Sequence, residues 1–346
     1  MNILQIVDLR SDTLTKPTPA MLEAMFNASV GDDVWGEDPS MNALEEKIAG
    51  MFGHEAALFC TSGIMSNQLS IKVHTVPGDE VICDRLSHIY NYEGGGIALN
   101  SGASVRLLNG DNGRFTAKEV LLNINPDDVH YPHTSLVSVE NTVNKGGGAV
   151  WDWNELKAIG EVCKENGLKY HLDGARIFNA LAVTEQTCED YGKLFDSISI
   201  CLSKGLGAPV GSMLTGSKEF IKKARHFRRA FGGGMRQAGY LAAAGIYALD
   251  HHIDRLVEDH SRAKLLADNL AKQIWVRKVV PVETNIVIFS IADGFTVSQV
   301  LNALKEKGIL AAQFGADSIR MVTHLDINVE MIKYATTVFS QLFVVM

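Results

Sequence analysis

The pattern of apolar and polar positions changes character along the chain. Over the first 245 residues, segments with helical and strand periods alternate. "SMNALEEKIAGMFG" puts Leu44, Ile48 and Met51 on one helical face, with Ser40 as the expected cap and Gly53 as the stop. "AALFC" is a short apolar strand, and "TSGIMSNQLSIKVH" turns into a helix. "EVICD" and "SLVSVE" are further strands, the second ending at Glu140. "DWNELKAIGEVCKENG" is a capped amphipathic helix closed by Gly167, and "LKYHLD" a strand ending at Asp173. "DSISICLS" and "GSMLTG" follow as strands. This alternation predicts an α/β domain built on a largely parallel central sheet.

From Met235 to about Gln273 one long helical pattern takes over, expected to join two domains rigidly. Beyond it "TNIVIFS", the capped helix "TVSQVLNALKEKG", "SIRMVTH" and a last helix from Asp326 predict a smaller α+β unit. The expected division is an N-terminal arm over 1–15, a large α/β domain over 16–245 and a small α+β domain over 246–346.

Composition narrows the classes. A chain of 346 residues can bury roughly 75% of its unfolded surface and needs no staple. The apolar and charged fractions, 46% and 21%, suit a soluble globular protein. A net charge of −8 argues against a general binder of nucleic acid or anionic membranes, while leaving room for a local anion site. The five cysteines form no CxxC pair, and several sit in apolar runs, as expected of free thiols in a reducing compartment. "MNILQIVDLRSD" has no basic leader region, and "YLAAAGIYAL" is far short of the roughly 20 residues a membrane span needs. A cytoplasmic location is therefore expected.

Candidate chemistry gathers at the predicted strand ends. Asp173 and Arg176 follow one strand, and Lys204 follows the next, just before the glycine-rich "GLGAPVG". In open α/β sheets ligands bind outside the carboxyl ends of the strands. "CTSGIMSN" follows a strand and opens a helix. There Ser62 offers a hydroxyl, and Gly63 and Ile64 offer backbone N–H groups, a suitable cradle for phosphate. A lysine for a Schiff base, an acid for a ring nitrogen and a phosphate cradle together point to pyridoxal phosphate. Two other readings stand beside this one: a structural ion pair at the sheet edge, and a metal site using His171 and Asp173, which lacks a third ligand. "GLGAPVG" misses the dinucleotide fingerprint by one residue, and no Walker A or G-x-S-x-G motif occurs.

These residues carry a resemblance. The segments "DLRSDT", "VGDDVWGEDP", "HLDGARIFNA", "ICLSKGLGAPVGS", "GGGMRQ" and "LAAAGIYAL" resemble those of the low-specificity L-threonine aldolases, fold-type I pyridoxal phosphate enzymes of the aspartate-aminotransferase-like superfamily. The likeness runs from Asp8 to the "VTHLD" that begins at Val322. It implies cleavage of threonine or L-allo-threonine to glycine and acetaldehyde; the alternative is another lyase of the superfamily acting by β-elimination. By resemblance Lys204 carries the cofactor, Asp173 pairs with its ring nitrogen, and His88 stacks on its ring. Ser11, Arg176 and Arg320 hold the substrate carboxylate, Arg176 also lying against the cofactor. His130 is the second active-site imidazole, and either His88 or His130, directly or through water, serves as base. Tyr92, one turn after His88 if that segment is helical, bears on the choice between threonine and its allo isomer. Arg236 reaches a cofactor phosphate across a subunit interface, in a homotetramer built as a dimer of dimers. No metal is expected.

Two positions depart from the family pattern. Ile64 stands where a threonine is expected, keeping the N–H but not the hydroxyl, and Arg229 stands where some relatives have lysine. Residues 218–236 hold seven cations and one acid, Glu219, and most are expected to form a solvated helix face.

Overall fold

The computed structural model describes residues 6–343. Residues 1–5 of the expected arm and residues 344–346 of the expected small domain lie outside them. Strand β1 (Val7–Asp8) is followed by helices α1 (Pro19–Phe26) and α2 (Pro39–Phe52). Then come β2 (Ala56–Cys60), α3 (Gly63–His74), β3 (Glu80–Asp84), α4 (His88–Asn91) and β4 (Ser104–Leu108). The alternation continues with α5 (Ala117–Leu122), β5 (Thr134–Glu140), α6 (Trp153–Glu165), β6 (Lys169–Asp173), α7 (Ile177–Leu181) and α8 (Cys188–Leu194). Strands β7 (Ser197–Cys201) and β8 (Ser212–Gly216) precede α9 (Lys218–Ala230), α10 (Gly239–His251) and α11 (Leu256–Leu270). The remainder is β9 (Val276–Val279), β10 (Ile286–Ile291), α12 (Val297–Glu306), β11 (Ile309–Leu310), β12 (Ala312–Gln313), β13 (Ser318–Val322) and α13 (Val329–Gln341).

Seven strands form the central sheet in the order β2-β8-β7-β6-β5-β3-β4. All run parallel except β8, which is antiparallel to both neighbours. Every residue of β5 and β7 is buried, as strands covered on both faces require. The register pairs Glu140 with Asp173, and Asp173 with Ser199. The carboxyl ends of β2, β3, β5, β6 and β7 therefore meet along one edge.

Strands β12, β13, β10 and β9 make an antiparallel sheet, and β1 pairs with β11. The central sheet and its helices enclose one large apolar core and two smaller clusters, around Leu58 and Leu214 and around Val81 and Leu136, while Val7 and Leu9 pack with residues 263–342 in another large core. Core membership changes within α11, between Leu256 and Ala263, past the boundary placed at residue 245.

Several local expectations are corrected. The N-cap of α2 is Asp38, whose carboxylate accepts from Met41 N, rather than Ser40; Gly53 does close the helix, with φ 63°. The long pattern after Met235 is two helices. His252 breaks it, buried with its ring Nδ1 2.7 Å from the Leu206 carbonyl. Strand β4 escapes the pattern because it lies at the sheet edge, where only Leu108 is buried. Most of the cations near α9 are exposed, as expected, but three reach acids elsewhere in the fold. Arg228 is buried against Asp33 at 2.8 Å, Arg225 bonds Glu45 at 2.5 Å, and Arg236 bonds Asp32 at 2.8 Å.

Candidate active site

Parallel strands deliver Asp173, Glu140 and the segment containing Lys204 to one edge, and α3 begins beside them. Asp173 is buried, accepting from Ala175 N at 3.1 Å and from Asn67 Nδ2 at 2.9 Å. The same Nδ2 donates to Glu93 Oε1 at 2.9 Å, and Gln68 Nε2 donates to Glu93 Oε2 at 2.6 Å. His88 Nδ1 lies 2.9 Å from Glu93 Oε1, and His88 N donates to Glu140 Oε2 at 2.8 Å. Burial by itself lowers His88, but the bond to Glu93 and the charge of Asp173 outweigh it and raise its pKa. Glu140 is pushed up to about 7, first by burial and then by the Asp173 charge.

The Lys204 carbonyl accepts from Thr15 Oγ1 at 2.9 Å and from Gly207 N at 2.9 Å, so the N-terminal arm is tied to this loop. Cys201 lies within electrostatic reach of Lys204, Asp173 and Arg176. Its Sγ also packs on Gly63, where an added Cβ would sit only 2.6 Å away. The start of α3 is thus pressed against the end of β7 through a glycine that cannot enlarge. Ser62 caps α3, accepting from Met65 N, while Ile64 is 42% exposed.

Arg176 is committed to a partner the sequence reading did not assign. Its Nε and Nη2 donate to the two oxygens of Asp12, each at 2.7 Å, and both residues are buried. Burial raises Asp12, but Arg176 and then Lys204 prevail and hold it well below the usual carboxylate range. Of the structural ion pair weighed at the sheet edge, the structure shows Arg176 paired with Asp12 and not with Asp173. Arg320 donates from Nη1 to Asn144 Oδ1 at 3.1 Å and from Nη2 to the Arg10 carbonyl at 3.4 Å, yet its buried Nε has no partner. Burial and then the Arg176 charge lower its pKa, the mark of a cation lacking an anion. Ser11 lies close by in sequence, its Oγ accepting from Thr13 N at 3.2 Å. Tyr92 is 5.5 Å from the His88 ring, centroid to centroid, and Lys145 Nζ stands 5.4 Å over its face.

Two expected site residues lie apart from this cluster. His130 precedes β5, at the amino end of the sheet; its side chain is 81% exposed, with Nδ1 2.6 Å from Asp128. Arg236 is half-exposed and held by Asp32.

The residues present fit the group expected from the sequence: an acid buried at the sheet edge, the start of α3 packed closely on the end of β7 through Gly63, and a lysine whose charge is felt at Asp12 and Cys201. Three ligand atoms of His88, Glu93 and Asp173 lie within 4.8 Å of one another. The Asn67 amide already points its N–H₂ between the two carboxylates there, the wrong polarity for a cation. His171 is not in that group, since its Nε2 faces Asn67 at 3.1 Å. Asp12, Asn67, Glu93 and Glu140 went unassigned in the sequence. Asn67 closes the quoted phosphate segment and Glu93 follows His88 by one helical turn and a step, but only the fold shows what they face.

The family model for beta-eliminating lyases matches residues 8–293. The chain is 42% identical to "Low-specificity L-threonine aldolase 1" of Arabidopsis thaliana, over 99% of this chain and 98% of that one. It is 40% identical to the "Low specificity L-threonine aldolase" of Escherichia coli strain K12, over 94% and 96%. Among solved structures, a Leishmania major threonine aldolase superposes with a TM-score of 0.84 at 22% identity, over 97% of this chain and 99% of that one. That likeness bears on the fold.

Proposed function

The chain belongs to the beta-eliminating lyase family, and from that premise we propose that it cleaves L-threonine, L-allo-threonine and related β-hydroxy-α-amino acids to glycine and an aldehyde, with pyridoxal phosphate as cofactor. The observation that carries the reading is near full-length identity of 40–42% to proteins named for this reaction. When bound, the cofactor supplies a sink for the electron pair released as the Cα–Cβ bond breaks.

In this reading Lys204 is the covalent anchor, and Asp173 keeps a proton on the ring nitrogen. Ser62 and the N–H groups of Gly63 and Ile64 take the phosphate at the positive end of α3. His88 lies against the ring, its Nδ1 tied to Glu93. Arg320 brings its unpartnered Nε to the substrate carboxylate, assisted by Ser11; a planar guanidinium suits that fork. Arg176, held by Asp12 through Nε and Nη2, braces the pocket and keeps Nη1 for the carboxylate. The β-hydroxyl proton leaves to a base, acetaldehyde departs, and a proton returns to Cα, so threonine yields glycine and acetaldehyde without net oxidation. His88 is the imidazole within the cluster. His130 reaches a site only when a second copy of the chain presents it, and the same proposal gives Arg236 its phosphate contact across a subunit interface. The assembly proposed is a homotetramer, a dimer of dimers, in the cytoplasm. No helix among the described residues is long and apolar enough to cross a membrane.

The test is incubation of the cofactor-loaded protein with L-threonine and L-allo-threonine, with separate assays for aldehyde and for 2-oxo acid plus ammonia. Acetaldehyde and glycine in equal amounts are expected. The family description favours one competitor, and release of the oxo acid and ammonia instead would make the protein a β-eliminating enzyme.

A further inference from the structure

A continuous set of buried polar groups runs inward from the site. Asn67 Oδ1 accepts from Ser199 Oγ at 2.5 Å and faces His171 Nε2 at 3.1 Å. Its Nδ2 donates to both Asp173 and Glu93, each at 2.9 Å. On the other side of the imidazole, His171 Nδ1 lies 2.9 Å from the hydroxyls of Ser70 and Ser197 and 3.1 Å from the Ser197 carbonyl. Asn67, His171, Asp173 and Glu93 are each at most 5% exposed, so each depends on the partners around it rather than on bulk water.

The polarity of this path is determined. Carboxylates only accept, so the Asn67 edge that faces two of them must be its N–H₂. Reversing the amide would put its oxygen against two buried acids. Oδ1 therefore faces inward and needs donors, which requires His171 to carry its hydrogen on Nε2. Nδ1 is then an acceptor, served by the hydroxyl of Ser70 or Ser197. The other tautomer would satisfy the Ser197 carbonyl but oppose a lone pair to Asn67 Oδ1. Burial pushes His171 down to about 4, so the ring is neutral at physiological pH.

We infer that His171 is a positioning residue: its Nε2–H fixes the Asn67 amide so that one N–H₂ group ties Asp173 to Glu93. Resting on the site reading above, this means that the acid under the ring nitrogen and the acid that orients His88 are held by a single clamp. Without it, two buried carboxylates lose their shared donor, and both Asp173 and the His88 ring lose their fixed positions.

The test compares His171→Phe with His171→Gln, whose side-chain amide can still donate to Asn67. Pyridoxal phosphate is titrated into each apoprotein, and the visible absorbance of the bound cofactor is then followed against pH. His171→Phe is expected to bind about 10-fold or more weakly and to shift the absorbance titration by about one pH unit. His171→Gln should recover both. A folded His171→Phe that matches the wild type overturns the inference, as does a folded His171→Gln as impaired as His171→Phe. If His171→Phe does not fold, the wild-type apoprotein decides: nitrogen-15 imidazole shifts must show hydrogen on Nε2 and none on Nδ1, and the reverse pattern overturns the clamp. A wild type that binds no pyridoxal phosphate would instead defeat the proposed function, and the imidazole spectrum would still decide the tautomer.

Discussion

Single residues at this site are defined by what they leave unpaired and by what they neutralise. Arg320 buries an unpartnered Nε, so its missing partner is an anion. Arg320→Ala should raise KM for threonine and lower kcat/KM by about 10- to 100-fold, the worth of a charge-assisted contact. Unchanged steady-state constants would remove Arg320 from the substrate site. Asp12 is the reverse case, a buried acid paired with Arg176 and also accepting from Asn285 Nδ2. Asp12→Asn leaves that guanidinium buried without its counter-charge and should cost about 3–5 kcal/mol in denaturant unfolding at pH 7. The sign of the pH dependence follows. A carboxyl whose folded pKa is depressed contributes stability that is fully present above its unfolded value near 3.9. That contribution is lost as pH falls through the depressed folded value, and the gap between wild type and Asp12→Asn should narrow below about pH 4. Lys204 and Asp173 could be proposed from the sequence, because strand ends and the "DGAR" and "SKGLGAPVGS" motifs mark them, whereas Arg320 came only from the family resemblance. Asp12 could not, since its meaning depends on Arg176, which lies far along the chain and is joined to it only by the fold.

Among the elements, α3 bears the largest share of the site. Its start offers N–H groups to an anion, its second turn carries Asn67, and its first residue packs on Cys201 of β7. Gly63→Ala should therefore both destabilise the fold and weaken cofactor binding, because its Cβ would lie 2.6 Å from Cys201 Sγ. In the double variant Gly63→Ala with Cys201→Ala the clash is removed, and the combined loss should be smaller than the sum of the single losses by about 1 kcal/mol. Simple additivity would mean that the glycine serves some other need. Elements with strong periodicity or caps, such as α2, α6 and α12, were legible within a residue or two. The break between α10 and α11 was not, because His252 ends the helix through a long-range bond to Leu206 rather than through glycine or proline. Strand β4 was hidden for a different reason: at the sheet edge it needs little apolar pattern.

At the scale of the whole molecule, the two largest cores share one N-terminal arm. Residues Val7 and Leu9 belong to the second core, Leu9 O accepts from Val322 N, and Thr15 reaches the Lys204 loop of the first. One chain thus assembles most of the proposed site, but Arg236 and His130 are left facing elsewhere. Arg236 is held by Asp32, in a segment whose Trp35 is 75% exposed. If Arg236 acts across an interface, mixing inactive Lys204→Ala and Arg236→Ala proteins after reversible dissociation should restore activity. In a mixed dimer the Arg236→Ala chain keeps Lys204 and borrows Arg236 from its neighbour, while the other site lacks both. Random pairing then gives about a quarter of the wild-type sites for a two-fold assembly. Mixing Lys204→Ala with His130→Ala tests the imidazole in the same way. No recovery, with mixed assemblies demonstrated by mass spectrometry, would place both residues outside the neighbouring site.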